Sequence, residues 1–195
     1  MKPKELVVEP CSLTDVKAFI ESNHYSRSVN GVKIRQCFSV KHSGVLVGAV
    51  LYGAMSTTAW KRFGTLETEV VELRRLVLVD GAPKYSESRV VALTIKWIKK
   101  NAKDLKIIVS YADPAHGHTG VIYKASNFNY VGVSAADKGF FDPETQKTYH
   151  SRALRTKYKG EYKPFVERLR HKLAAGVLVP VNLPGKHCFT YRLSK

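Results

Sequence analysis

TEVVELRRLVLVDGAPKYSESRVVALTIKWIKKNAKDLKIIVSY, residues Thr68–Tyr111, reads as a strand, a break, a helix and a second strand. Thr68–Val79 is rich in β-branched and aliphatic side chains, and Gly81 and Pro83 end it. Ser86 or Ser88 is expected to cap the helix that follows, which runs to about Asn101. Val90, Leu93, Ile95, Trp97 and Ile98 give that helix a broad apolar face. Lys96, Lys99 and Lys100 gather toward its end, where the helix dipole favours cations. Lys106–Tyr111 has the uninterrupted apolar run of a buried strand.

Working outward, residues 5–9 (ELVVE) read as a first strand, and Ser12 or Thr14 can cap a short helix reaching Ile20. Ile34–Val40 and Val45–Tyr52 flank a turn at His42–Gly44 and form an antiparallel hairpin. A short helix is expected from His116 or Thr119 to Ser126. Strands follow at Asn129–Val133 and Thr148–Leu154, separated by the turn-rich ADKGFFDPETQ. Tyr162–Ala175 reads as a helix and His187–Leu193 as a closing strand. This order suits an α/β fold, a mixed central sheet with helices on both faces. Without repeats or linkers, residues 1–195 are expected to form a single domain with a basic C-terminal part, residues 151–195.

The chain has 195 residues, 44% hydrophobic and 25% charged, and a formal net charge of +16. Residues 151–195 carry 11 basic and 2 acidic side chains, residues 1–150 carry 21 and 14. Such a surface concentrates a polyanion and gives salt-dependent affinity. No run approaches the roughly 18 apolar residues of a membrane span, and the N-terminus lacks a signal-peptide core. Cys11, Cys37 and Cys188 are widely spaced and read as reduced, structural thiols, so a cytoplasmic protein without a membrane partner is expected.

Three places can carry chemistry. Asp113 follows the buried strand and precedes Pro114, at a strand mouth where α/β proteins bind ligands. Tyr123, ten residues on, can point back toward it; the pair can act as base and acid, ligate a metal, or be a turn former and a core-edge ring. His24–Tyr25 sits in a polar loop after the first helix, as a site pair or merely exposed. The entry to the Ser86 helix offers backbone N–H groups to a phosphate, with Arg74 or Arg75, Ser88 and Arg89 near it. Strand alternation requires Arg74 and Arg75 to face opposite ways. Arg152, Arg155, Lys157 and Lys159 alternate with Tyr149, Tyr158 and Tyr162, a pattern that suits phosphates and stacked bases as well as a solvated helix face.

HYS at residues 24–26, ELRRLVLVD, the SES-R helix start and YADPAHGHTGVIYKASNFNYVG together resemble the bacteriophage Mom family, relatives of the GNAT acyltransferases. The likeness is good over roughly residues 20–135. It implies a GNAT-like fold and conversion of DNA adenine to N6-carbamoylmethyladenine, which protects phage DNA from restriction. It implies catalytic and iron-binding roles for His24, Tyr25, Asp113 and Tyr123, and acyl-CoA contacts at Arg75 and Ser88, with Arg89 beside them. The R/Q-x-x-G-x-G/A pyrophosphate motif of ordinary GNAT enzymes is absent between Asp80 and Ser88. A carbamoylmethyl group joins nitrogen to a methylene carbon, which a thioester does not activate; a redox metal is the expected aid, and His, Tyr and Asp suit iron. The expected partner is double-stranded DNA with the target adenine flipped out, held by Arg152, Arg155, Lys157 and Lys159. A homodimer stays open. The alternatives are a GNAT N-acetyltransferase for a small-molecule, protein or tRNA amine, and a non-enzymatic DNA-binding protein on the same scaffold.

Overall fold

Alternating apolar residues in Ile34–His42 (β2) and Val45–Gly53 (β3) build the hairpin around which the first half of the chain assembles. In this computed structural model, which describes residues 1–55, 58–64 and 66–193 (the backbone alone at Tyr158), two compact units are distinguished. The first comprises Met1–Ala112, Gly120–Gly132 and Cys188–Lys195. The second comprises Asp113–Thr119 and Val133–His187. Lys195, at the end of the basic part, lies outside the described residues.

The first unit follows the sequence closely. Val7–Pro10 (β1) lies antiparallel to β2, and β2 to β3. Between β1 and β2, Leu13–Asn23 (α1) starts at Ser12, whose N–H is bonded by the Asp15 carboxylate at 2.8 Å. Val70–Leu78 (β4) pairs antiparallel with β3, and Ile107–Ala112 (β5) runs parallel to β4, as a strand–helix–strand crossover requires. The crossover helix is Ser86–Asn101 (α2), and Val121–Ala125 (α3) follows β5. With Asn129–Val133 (β6) the sheet order is β1-β2-β3-β4-β5-β12-β6, where β12 is the closing strand His187–Arg192.

Helices cover both faces of this sheet. Val90, Val91, Ile95 and Ile98 of α2 pack on Phe38, Val50, Tyr52, Val71, Leu73 and Ile108. Val16 and Ile20 of α1 pack on the other side against Cys37, Ala49, Leu51 and Val77. Each such aliphatic side chain taken fully out of water contributes roughly 1.5–3 kcal/mol. The Tyr52 hydroxyl, buried under α2, is 2.6 Å from Thr94 Oγ1. Gly120, at the start of α3, has φ +78°, and a Cβ there would collide with the Phe189 ring, so only glycine fits.

One expectation changes here, and one contact was not foreseen. Neither Ser86 nor Ser88 is the N-cap of α2: Tyr85 holds that position in a left-handed conformation, and Ser88 Oγ donates to the Tyr85 carbonyl at 3.1 Å. Cys11 and Cys37, far apart in sequence, lie with their sulfurs 3.4 Å apart beside a Cys11 N–H to Cys37 O bond of 3.0 Å. Burial raises the pKa of both thiols, which are free.

The second unit departs further from the sequence reading. ADKGFFDPETQ is not merely turn: Asp137–Asp142 (β7) is the central strand of a three-stranded sheet with Lys147–His150 (β8) and Val179–Leu183 (β11), in the order β11-β7-β8. The strand expected to reach Leu154 stops at His150 and becomes a 3-10 turn, Ser151–Arg155. Lys157–Tyr158 (β9) and Glu161–Tyr162 (β10) form a small hairpin, and Pro164–Ala174 (α4) is the expected helix, shortened at its start by Pro164. Leu154, Leu169 and Leu178 form the unit's core with Phe140 and Tyr149. Buried Asp142 accepts from Lys172 Nζ at 2.7 Å, which ties α4 to β7.

Candidate active site

β4 and β5 pair from Val70↔Ile107 to Leu73↔Ser110 and no further. At that point β4 also slips against β3: Leu73 faces Tyr52 while Arg75 faces Leu51, leaving Arg74 as an extra residue. The bulge breaks alternation. Leu73 and Leu76 both join the cluster under α2, so the two arginines between them both turn to the opposite face. Arg74 Nη1 pairs with Glu72 Oε2 at 2.9 Å, and Arg75 holds the Ser28 carbonyl through Nε and Nη2 at 3.1 and 3.0 Å. The expectation that the arginines point apart is therefore corrected, because a bulge shifts the strand by one residue.

Arg75 thereby braces the loop after α1, which carries His24 and Tyr25. His24 is the C-cap of α1 and buried. Its Nδ1 accepts the Ser26 N–H at 3.1 Å and lies 2.9 Å from Ser26 Oγ, which in the neutral ring leaves the proton on Nε2. Tyr25 lies over the imidazole with ring centroids 4.2 Å apart and is half exposed. Its hydroxyl is near enough to Arg75 to favour the guanidinium, against burial, which lowers the Arg75 pKa.

Tyr123 reaches the same strand parting from α3. Its ring packs on Phe128 and Phe189 at 5.6 and 5.4 Å. Burial raises its pKa, with Tyr25 and Glu72 adding to the rise and the Ser110 hydroxyl beside it opposing. The phenol stays protonated at neutral pH. Glu72, which the sequence reading passed over as one more strand residue, is a buried carboxylate in the midst of Tyr111, Tyr123 and the two arginines. Its signal in the sequence is a lone acid inside an apolar strand, VVELRRL. Among the described residues, Arg74 Nε, Ser86 Oγ and Ser110 Oγ are buried without a hydrogen-bond partner. Ser88 is half-buried near the start of α2; Arg89 is exposed and reaches the Lys4 carbonyl at 3.4 Å.

Asp113 belongs to the second unit. Burial works against its charge, yet Lys186 Nζ at 2.5 Å and the Ala115 N–H at 3.1 Å outweigh it and hold its pKa below the ordinary value. The basic residues of that unit are spread over the 3-10 turn and hairpin. Arg152 lies on His150, with Nη2 to Nε2 at 3.1 Å, and Arg155 is exposed. Lys157 Nζ and the Arg170 guanidinium sit 4.8 and 4.6 Å from the Tyr162 ring. Lys159 turns the hairpin at φ +50°. The Tyr158 side chain, named in the basic-aromatic pattern, lies outside the described residues.

As placed, His24, Asp113 and Tyr123 of the expected iron set are engaged in other contacts. Among the described residues no group of three or more His, Cys, Asp or Glu could hold a metal. Tyr123 packs on Phe128 and Phe189, His24 Nδ1 is engaged by Ser26, and Asp113 pairs with Lys186. Among the described residues, no helix is long and apolar enough to cross a membrane.

The model of the Mom protein family matches residues 5–195. The methylcarbamoylase Mom of Escherichia phage Mu is 36% identical over 139 residues, covering 66% of this chain and 54% of that protein. The chain thus matches about half the length of that relative. Among solved structures, the IAA acetyltransferase of Bacillus cereus aligns over 96% of this chain and 99% of its own, with TM-score 0.55 and 10% identity. The aminoglycoside acetyltransferase AAC(6')-Ib, in complex with coenzyme A, aligns over 66% and 87%, with TM-score 0.51 and 12% identity. These likenesses show a GNAT-like fold.

Proposed function

Because this chain belongs to the Mom protein family, we propose that it is a transferase converting adenine in double-stranded DNA to N6-carbamoylmethyladenine, a change that shields the DNA from restriction. The observation that carries the reading is the cluster of His24, Tyr25, Glu72, Arg75 and Tyr123 around the β4–β5 parting of a GNAT-like sheet. Attack by the exocyclic amine on the methylene carbon of a carbamoylmethyl donor that carries its leaving group on that carbon forms the N–CH2 bond, breaks the bond from that carbon to the leaving group, and releases one N6 proton. Glu72 is the acceptor suited to that proton, since a buried carboxylate beside a flipped base sees little competing water. Tyr123, kept protonated by burial, donates to the departing group. His24 in its Nε2–H form, with Tyr25 stacked on it, orients the base.

A coenzyme A-type ligand is part of this proposal as carrier or cofactor, since attack at the carbonyl of an acyl-CoA would give an N6-acyl product instead. AAC(6')-Ib was solved with coenzyme A on the same fold, and the start of α2, with Ser86, Ser88 and Arg89, offers N–H groups and a cation to a phosphate. Asp113 enters through the family resemblance alone. Arg152, Arg155, Lys157 and Lys159, all exposed, are the proposed contacts to the duplex backbone. The test is mass spectrometry of nucleosides from DNA of cells expressing the protein, beside His24→Ala and Asp113→Ala. An adenosine species heavier by a carbamoylmethyl group, lost in both variants, is expected. Unmodified DNA together with acetylation of a small amine would replace this reading by the acetyltransferase one.

A further inference from the structure

We propose that Ala59–Phe63, the AWKRF turn between β3 and β4, is a DNA-backbone grip on the first unit itself, with Lys61 and Arg62 taking phosphates beside the target adenine. This rests on the reading of DNA as substrate.

The turn is built to hold two cations outward from a fixed base. Trp60 and Phe63 are half-buried and pack on Met55, Val70, Ile107, Val109 and Cys188. Gly64 ends the turn at φ +66°. Lys61 and Arg62, between the two aromatic anchors, are exposed. Each lies against a ring: Lys61 Nζ is 5.7 Å from Trp60, and the Arg62 guanidinium 5.3 Å from Phe63. Long cationic side chains laid on rings lose less freedom on meeting a ligand.

Three other cations of this unit are already answered. Arg35 pairs with Asp104 at 3.2 Å, Lys41 with Glu9 at 3.0 Å, and Lys106 with Glu69 at 2.5 Å. Among the described residues, neither Lys61 nor Arg62 meets a carboxylate within salt-bridge distance. The acidic groups that do feel Arg62 are the Tyr111 phenol and the Cys188 thiol, both of which it favours in their charged forms. Tyr111 feels Glu72 as well, so Arg62 borders the cluster at the β4–β5 parting. A pair of exposed cations on a turn anchored by Trp60 and Phe63, next to that cluster and with no carboxylate within salt-bridge distance among the described residues, fits the polyanion that must be held there.

The experiment compares full-length wild type with the double variant Lys61→Gln/Arg62→Gln. Binding of a 20-base-pair duplex is followed by fluorescence anisotropy across a salt series, and coenzyme A binding is measured in parallel. The expected result is a salt slope shallower by about 2 and DNA affinity weaker by roughly tenfold or more at low salt. Coenzyme A affinity and melting temperature stay unchanged, and Lys61→Arg/Arg62→Lys restores the slope. An unchanged slope overturns the proposal, as does a loss of coenzyme A affinity with DNA binding intact, which would assign the cations to the donor. Wild-type protein that leaves DNA unmodified would sink the adenine-modification reading, while the salt slope still decides whether the turn grips a nucleic acid.

Discussion

The strand parting of the first unit and the hairpin–helix region of the second are made from opposite materials. At the parting, Glu72 and Ser110 are buried, and burial raises the Tyr123 pKa. From Arg152 to Arg170 the side chains that matter are exposed cations, several of them steadied by His150 and Tyr162. Proton transfer needs groups whose pKa values the protein controls, and control requires low dielectric. Holding a polyanion needs charge that solvent ions can leave, and this requires exposure. Substitutions in the two regions should therefore differ in kind: one set alters turnover with little salt dependence, the other alters salt-dependent affinity with little effect on turnover at saturation.

The sharpest break of that contrast comes from Tyr123→Phe. It keeps the ring on Phe128 and Phe189 and removes only the hydroxyl, so adenine modification should fall by at least about 100-fold. Duplex affinity and its salt slope should stay at wild-type values. A variant retaining half its activity would remove the phenol from the chemistry. Next in size, joint replacement of Arg152, Arg155, Lys157 and Lys159 by Gln should lower the slope of log affinity against log salt by roughly 3–4. Turnover measured with saturating DNA should hold. An unchanged slope would leave these residues as an ordinary solvated face.

The smallest effect sits at Asp113 with Lys186. The Asp113 pKa is depressed on folding, so its contribution to stability is present above the unfolded carboxylate value, near 4, and disappears as pH falls through the lower folded value. Because Lys186 is half exposed, the contribution should be about 1 kcal/mol or less. Lys186→Gln should lower stability at pH 7 by up to about that amount and flatten the acid limb, the two proteins converging at low pH; an acid limb identical to wild type would show that the pair contributes nothing.

Most of the first unit was legible because its elements are long and their periods unambiguous: sixteen residues of α2 and nine each of β2, β3 and β4. The second unit was harder for physical reasons. β7 is spelled DKGFFD, whose Asp and Gly are turn formers, and β11 contains Pro180, which a strand tolerates here because β11 is a sheet edge. The hairpin at Lys157–Tyr162 has strands of two residues, too short to show alternation. At the site, His24, Tyr25 and Tyr123 came forward through motif resemblance. Glu72 did not, since only the pairing of β4 with its neighbours reveals what surrounds it. The meeting of Cys11 with Cys37 was invisible for the same reason.

The extra residue at Arg74 also gives the strand a kind of phase. Upstream of it, even-numbered side chains share the face of Glu72; downstream, odd-numbered ones share the face of Val77. Deleting Arg74 would close the bulge with Arg75 to Leu78 still on the faces they hold, at the loss of the Arg74–Glu72 pair. Straightening β4 with all nine residues kept would instead exchange the face of every residue from Arg75 to Leu78, driving an arginine under α2 and Leu76 toward Ser28. The strand can therefore be nine residues with the bulge or eight without it, and nine without it is the arrangement the core forbids.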